Sequence, residues 1–167
     1  MVDGDDGPIL EARPPVLDDL TSLCKELNDQ GARYIVVGGM AVIQAGFVRA
    51  TEDIDLLIAA DEANVSLVRA ALMSLPDGAA RELDLSDPRR YAVVRVADEI
   101  VVDLITEACG VDYGEAASSV DVVEIGGIPI PFATPELLLR MKQTVREKDR
   151  LDRVFLEQLL GMRKAES

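Results

Sequence analysis

The sequence predicts an α/β domain in which a mixed sheet is flanked by helices. Three observations lead there. The first half alternates helical and strand-like apolar patterns, the middle holds two pairs of strand-like runs joined by short turns, and the chain closes on leucine-rich helical segments after Thr134-Pro135.

Taken in order, residues 1–15 (MVDGDDGPILEARPP) are acidic and rich in Gly and Pro. They lack the basic start and apolar centre of a signal peptide and read as a mobile tail on a cytoplasmic protein, with residues 16–167 forming one domain. A helix is expected from about Val16 to Gln30, because Leu17, Leu20, Leu23, Cys24 and Leu27 fall at helical spacing and Gly31 can end it. ARYIVV (32–37) reads as a buried strand. Gly38-Gly39 then makes a tight exit into a short helix, MAVIQA, closed by Gly46. DIDLLIA (53–59) is the next strand, and Asp61 caps a helix through residues 62–75, where Val65, Val68, Leu72 and Leu75 recur at three or four. RRYAVVRV (89–96) and EIVVDLIT (99–106) flank a short turn, as do DVVEI (121–125) and IPIPF (128–132) around Gly126-Gly127. Thr134 offers a capping hydroxyl and Pro135 needs no backbone donor, so the C-terminal helices of residues 133–167 start there.

Composition excludes several chemistries. A hydrophobic fraction of 49% argues against disorder, and no apolar run reaches the roughly 20 residues of a membrane span. With no histidine, Ser-His-Asp and Cys-His catalysis and imidazole-bound zinc are removed. Cys24 and Cys109 are far apart without CxxC spacing and are expected as two buried thiols. The net charge of −14 disfavours extended contact with nucleic-acid phosphates, yet residues 134–164 hold eight bases against five acids, a net +3 beside −17 elsewhere. That segment is either a local site for a phosphate-bearing ligand or a solvated helix face.

The chemistry concentrates in YIVVGGMAVIQAGFVRATEDIDLLIAA, residues 34–60. Successive strand residues point to opposite faces, so Asp53 and Asp55 share a face, their Cα atoms about 6.5 to 7 Å apart. Carboxylates at the start of a buried strand repel each other and lose hydration, so a divalent cation is a natural partner. Asp103, on a face with Val101 and Ile105, is a third embedded acid that needs a metal, a hydrogen bond or an ion pair, for which Arg95 is available. Asp53 and Asp55 have their own structural alternatives, capping a loop or pairing with Arg49. Gly38-Gly39, opening a helix, supplies amides that can face phosphate.

GGMAVIQAG followed by RATEDIDLLI resembles the signature of the nucleotidyltransferase superfamily with the DNA polymerase β-like fold. The Arg-x-Thr-x-Asp-Ile-Asp form and the late RMKQTVREKDRLD are most similar to small bacterial and archaeal members related to the AbiEii abortive-infection toxins. The resemblance implies that Asp53 and Asp55 hold two Mg²⁺ ions and that Asp103 binds the catalytic one. Gly38 and Gly39 would admit an NTP, Arg49 and Thr51 would contact its triphosphate or stabilise the fold, and Lys142 or Lys148 would neutralise phosphate charge. The reaction implied is transfer of a nucleoside monophosphate to an acceptor hydroxyl, on a tRNA end, a protein or a small molecule, with no membrane partner and with a cognate antitoxin or a homodimer as the implied association. A rival reading keeps the fold and uses it as a catalytically inactive module in partner binding or regulation.

Overall fold

A computed structural model describes residues 11–143 and 147–166, apart from the side chains of residues 147 and 148. Residues 1–10, most of the expected tail, lie outside the described residues. At its inner end Arg13 is fastened to the body: its guanidinium donates to Asp19 at 2.8 and 2.7 Å and to Glu99 at 2.9 Å.

Those bonds also start the first helix. α1 (Leu17–Gln30) has no capping hydroxyl, and Asp19 instead accepts the Val16 amide at 2.7 Å while Gly31, with φ 73°, closes the far end in the left-handed region. Leu20, Leu23, Cys24 and Leu27 form its buried stripe, and burial pushes the Cys24 thiol up to about 12. β1 (Tyr34–Val37) is buried throughout, and α2 (Gly38–Gln44) begins on the glycines themselves rather than after them. β2 (Asp53–Ile58) alternates as expected, with Ile54, Leu56 and Ile58 fully buried. α3 (Glu62–Leu72) is capped by Asp61, whose carboxylate accepts the Asn64 amide.

The next stretch departs from the sequence-based expectation. A 3₁₀ turn (Ala79–Glu82) and a short helix α4 (Asp87–Arg90) precede β3 (Val93–Ala97), so Arg89 and Arg90 lie in a helical turn and not in a strand. Pro88 near the helix start explains it, since its fixed φ suits a first turn. β4 (Val101–Ile105) follows, then a two-stranded ribbon of β5 (Glu107–Ala108) and β6 (Val111–Asp112) and a one-turn helix α5 (Tyr113–Ala116). Cys109 turns that ribbon with φ 51° and is exposed, which corrects the expectation of a second buried thiol. The remaining elements are β7 (Val120–Ile125), β8 (Ile128–Ala133), α6 (Pro135–Met141), capped by Thr134 through the Leu137 amide, and α7 (Glu147–Glu166).

Six strands form one sheet in the order β3-β4-β2-β1-β8-β7. β2 runs parallel to β4 and β1 to β8, while the other neighbours are antiparallel, giving the mixed sheet. α1 packs on α3 and β8, α2 on β1, β2 and α6, and α6 on α7. Among the described residues no helix is long and apolar enough to cross a membrane.

At the β3–β4 turn, buried Asp98 accepts the amides of Asp77 (2.9 Å), Ala79 (2.9 Å) and Glu99 (2.7 Å), stitching the 3₁₀ region to the sheet. Burial opposes its ionised form, but the three amides outweigh burial and hold the carboxyl below its ordinary 3.8. A lowered folded value means that this stabilisation is complete above 3.8 and disappears as pH falls through the folded value. Asp98→Ala is therefore expected to cost about 1 to 3 kcal/mol at neutral pH, with the deficit shrinking in strong acid. Urea denaturation of both proteins across this range checks it, and an equal deficit at every pH would contradict it.

Candidate active site

Strand register brings the predicted acids together. Asp55 on β2 lies opposite Asp103 on β4, and Asp103 lies opposite Arg95 on β3. On the other side Asp55 faces Val37, the last residue of β1. Arg95, Asp103, Asp55 and Val37 thus form one row across four strands, with Asp53 two residues before Asp55 on the same face. One carboxylate oxygen from each of Asp53, Asp55 and Asp103 lies within 4.8 Å of the others. Asp103 is buried, and the other two are half-buried.

Arg95 occupies part of that space. Its Nε donates to Asp103 Oδ1 at 2.9 Å and its Nη2 to Oδ2 at 3.0 Å, and Nη2 also reaches Asp53 Oδ2 at 3.4 Å. The structural alternative weighed for Asp103, a pair with Arg95, is therefore present alongside the convergence of the three acids. Asp103 first among its neighbours holds the guanidinium above the ordinary arginine range. The alternative pair of Asp53 or Asp55 with Arg49 is not observed among the described contacts, because Arg49 is turned to α7.

The two glycines have a physical reason beyond a tight turn. A β-carbon on Gly38 would fall 1.9 Å from Asp55 Oδ2, and one on Gly39 would fall 2.4 Å from Thr51 Oγ1. Gly38 also has φ 63°. Missing side chains therefore let the Asp55 carboxylate and the Thr51 hydroxyl lie directly against the start of α2. Thr51 in turn donates to the Asp53 carbonyl at 3.1 Å, bracing the strand entry.

Arg49 and Lys142 meet in a buried ion network rather than among the three acids. Asp152 lies 3.0 Å from Arg49 Nε and accepts Arg49 Nη2 at 3.1 Å. The Nε approach is misaligned for a hydrogen bond and acts through charge. Lys142 Nζ is 3.2 Å from both Asp149 and Asp152, and Arg153 donates to the Lys142 carbonyl at 2.7 Å. Asp149 and Asp152 were missed in the sequence. A signal was there: with Leu156 they follow intervals of three and four on α7, and all three are buried on one face. The side chain of Lys148 lies outside the described residues.

A cavity of about 200 Å³ adjoins Asp55, bordered also by Val37, Gly38, Ile105, Leu138 and Lys142 among others. A larger groove of about 660 Å³ runs along α6 and α7 past Leu139, Leu160 and Arg163, but it shares no lining residue with the acidic cluster. The smaller cavity is the one placed for chemistry at Asp55, since it touches both that carboxylate and Gly38.

No protein-family model and no curated protein matches the sequence. Solved structures do. The chain is similar to a candidate nucleotidyltransferase from Thermotoga maritima, with 17% identity and a TM-score of 0.51 over 90% of this chain and 93% of the other. It is also similar to an antigenic nucleotidyltransferase-like protein from Paracoccidioides brasiliensis, with 20% identity and a TM-score of 0.52 over 87% of this chain and 78% of that one. At such identities the likeness defines architecture: the chain has a nucleotidyltransferase-like fold.

Proposed function

We propose that this chain is a Mg²⁺-dependent nucleotidyltransferase that moves a nucleoside monophosphate from an NTP to an acceptor hydroxyl. The observation that carries the reading is the gathering of Asp53, Asp55 and Asp103 within 4.8 Å, on this fold and beside a cavity. An all-oxygen, anionic donor set suits a hard divalent ion such as Mg²⁺. When bound, two such ions supply charge stabilisation for the attacking and leaving oxygens of an in-line displacement.

The chain's own groups have defined parts. Asp53 and Asp55 would hold the ions, and Asp103 would complete the donor set and take up the proton of the acceptor hydroxyl. Gly38, which borders the cavity beside Asp55, is assigned with Gly39 to the triphosphate. An acceptor oxygen–α-phosphorus bond forms, the α–β bridging bond breaks, and pyrophosphate leaves. Arg49 and Lys142 support the site from their ion network, Thr51 braces the strand entry, and Lys148 on the first turn of α7 is assigned to phosphate charge.

The acidic body favours a cationic small molecule or a protein as acceptor, while the basic segment 134–164 keeps a tRNA end in view. A toxin role related to AbiEii proteins, with an antitoxin or a second copy as partner, extends the same reading into the cytoplasm. Incubation with α-labelled NTP, Mg²⁺ and these acceptor classes is expected to release pyrophosphate and label one of them, and a chelator is expected to stop it. The double hydrogen bond of Arg95 to Asp103 favours a second reading, a catalytically inactive module with this fold acting in partner binding or regulation. The absence of transfer with every NTP and acceptor class would select it.

A further inference from the structure

Arg95 and a divalent ion need the same oxygens. The guanidinium fork takes both oxygens of Asp103, and Nη2 leans on Asp53, so an ion held by the three acids competes with it for those oxygens. Arg95 is free to yield. It stands on β3, an edge of the sheet, its side chain is 61% exposed, and its described side-chain contacts are these two carboxylates. Although Asp103 is buried, the guanidinium side of the fork is open to solvent, so it is more readily broken than a pair buried on both sides.

We propose that Arg95 is a displaceable guard of the cation site: in the metal-free protein it neutralises Asp103 and Asp53, and a divalent ion enters by taking their oxygens from it. The inference rests on the metal-binding reading of these acids. Two effects act in one direction, because the ion must both break the fork and approach a positive charge. The free protein therefore binds divalent ions weakly. A phosphate-bearing ligand that draws the guanidinium away tightens ion binding, and by linkage the ion tightens binding of that ligand equally.

Mn²⁺ serves as the probe, with free ion counted by electron paramagnetic resonance in solutions of wild type, Arg95→Gln, Arg95→Lys and the double variant Arg95→Gln/Asp53→Ala. Arg95→Gln is expected to bind Mn²⁺ about tenfold more tightly than wild type or better, with Arg95→Lys between them and the double variant losing the gain. Melting gives a second readout: without metal Arg95→Gln melts below wild type, and Mn²⁺ closes the gap. Equal Mn²⁺ affinity in wild type and Arg95→Gln, or a melting gap that Mn²⁺ leaves unchanged, overturns the guard while leaving the metal site standing. No Mn²⁺ binding by either protein overturns the metal site and the guard together.

Discussion

Asp55→Asn is expected to abolish label transfer from α-labelled NTP, with a loss of at least about a hundredfold, since losing a group one bond removed from a metal already costs up to that much. The substitution is chosen for its shape. Asp55 lies directly against Gly38, where a β-carbon would come within 1.9 Å of its Oδ2, and asparagine fills the same space without the charge. Melting temperature near that of wild type, with transfer gone, separates lost chemistry from lost structure. Asp55 is central in the row, between Asp103 and Val37, so the variant removes a donor without disturbing the Arg95–Asp103 fork. Retained transfer in Asp55→Asn would contradict the assignment of this carboxylate.

The second large effect is on stability. Asp152→Ala is expected to destabilise the fold by about 3 to 5 kcal/mol, the cost of removing one partner from a buried ion network. Asp152 is 1% exposed and stands between Arg49, which enters from the loop before β2, and Lys142, at the end of α6. Without it two cations face each other, and among the described residues Asp149 remains as an acid beside Lys142. The loop carrying Arg49 also carries Thr51 at the glycine pair, so loosening α7 reaches the site through that loop. Urea denaturation measures the loss. A change below about 1 kcal/mol would mean that the network behaves as a surface ion pair and does not anchor α7.

How far the sequence reached follows from the range of each interaction. Alternation along a strand is local, so Asp53 and Asp55 could be put on one face from their spacing alone, as could the buried Ile54, Leu56 and Ile58. Caps at Asp61 and Thr134 are equally local and were readable. The neighbouring places of Asp55 and Asp103 depend on β2 and β4 running parallel in one register, which no short stretch specifies. The same holds for Arg95, whose alternation marks a face but not its partner. Arg49 could be read only as a triphosphate contact or a fold-stabilising one, because its partner Asp152 is 103 residues away. The helical turn at Arg89-Arg90 was hidden by the apolar run that follows, although Pro88 marked it.

The most direct test of the central claim is an anomalous diffraction map from crystals soaked in Mn²⁺ and a nonhydrolysable NTP. A peak bounded by oxygens of Asp53, Asp55 and Asp103, with the Arg95 guanidinium moved off Asp103, is the result expected. Saturating Mn²⁺ with no peak at these carboxylates and Arg95 still bridging Asp103 and Asp53 would contradict it.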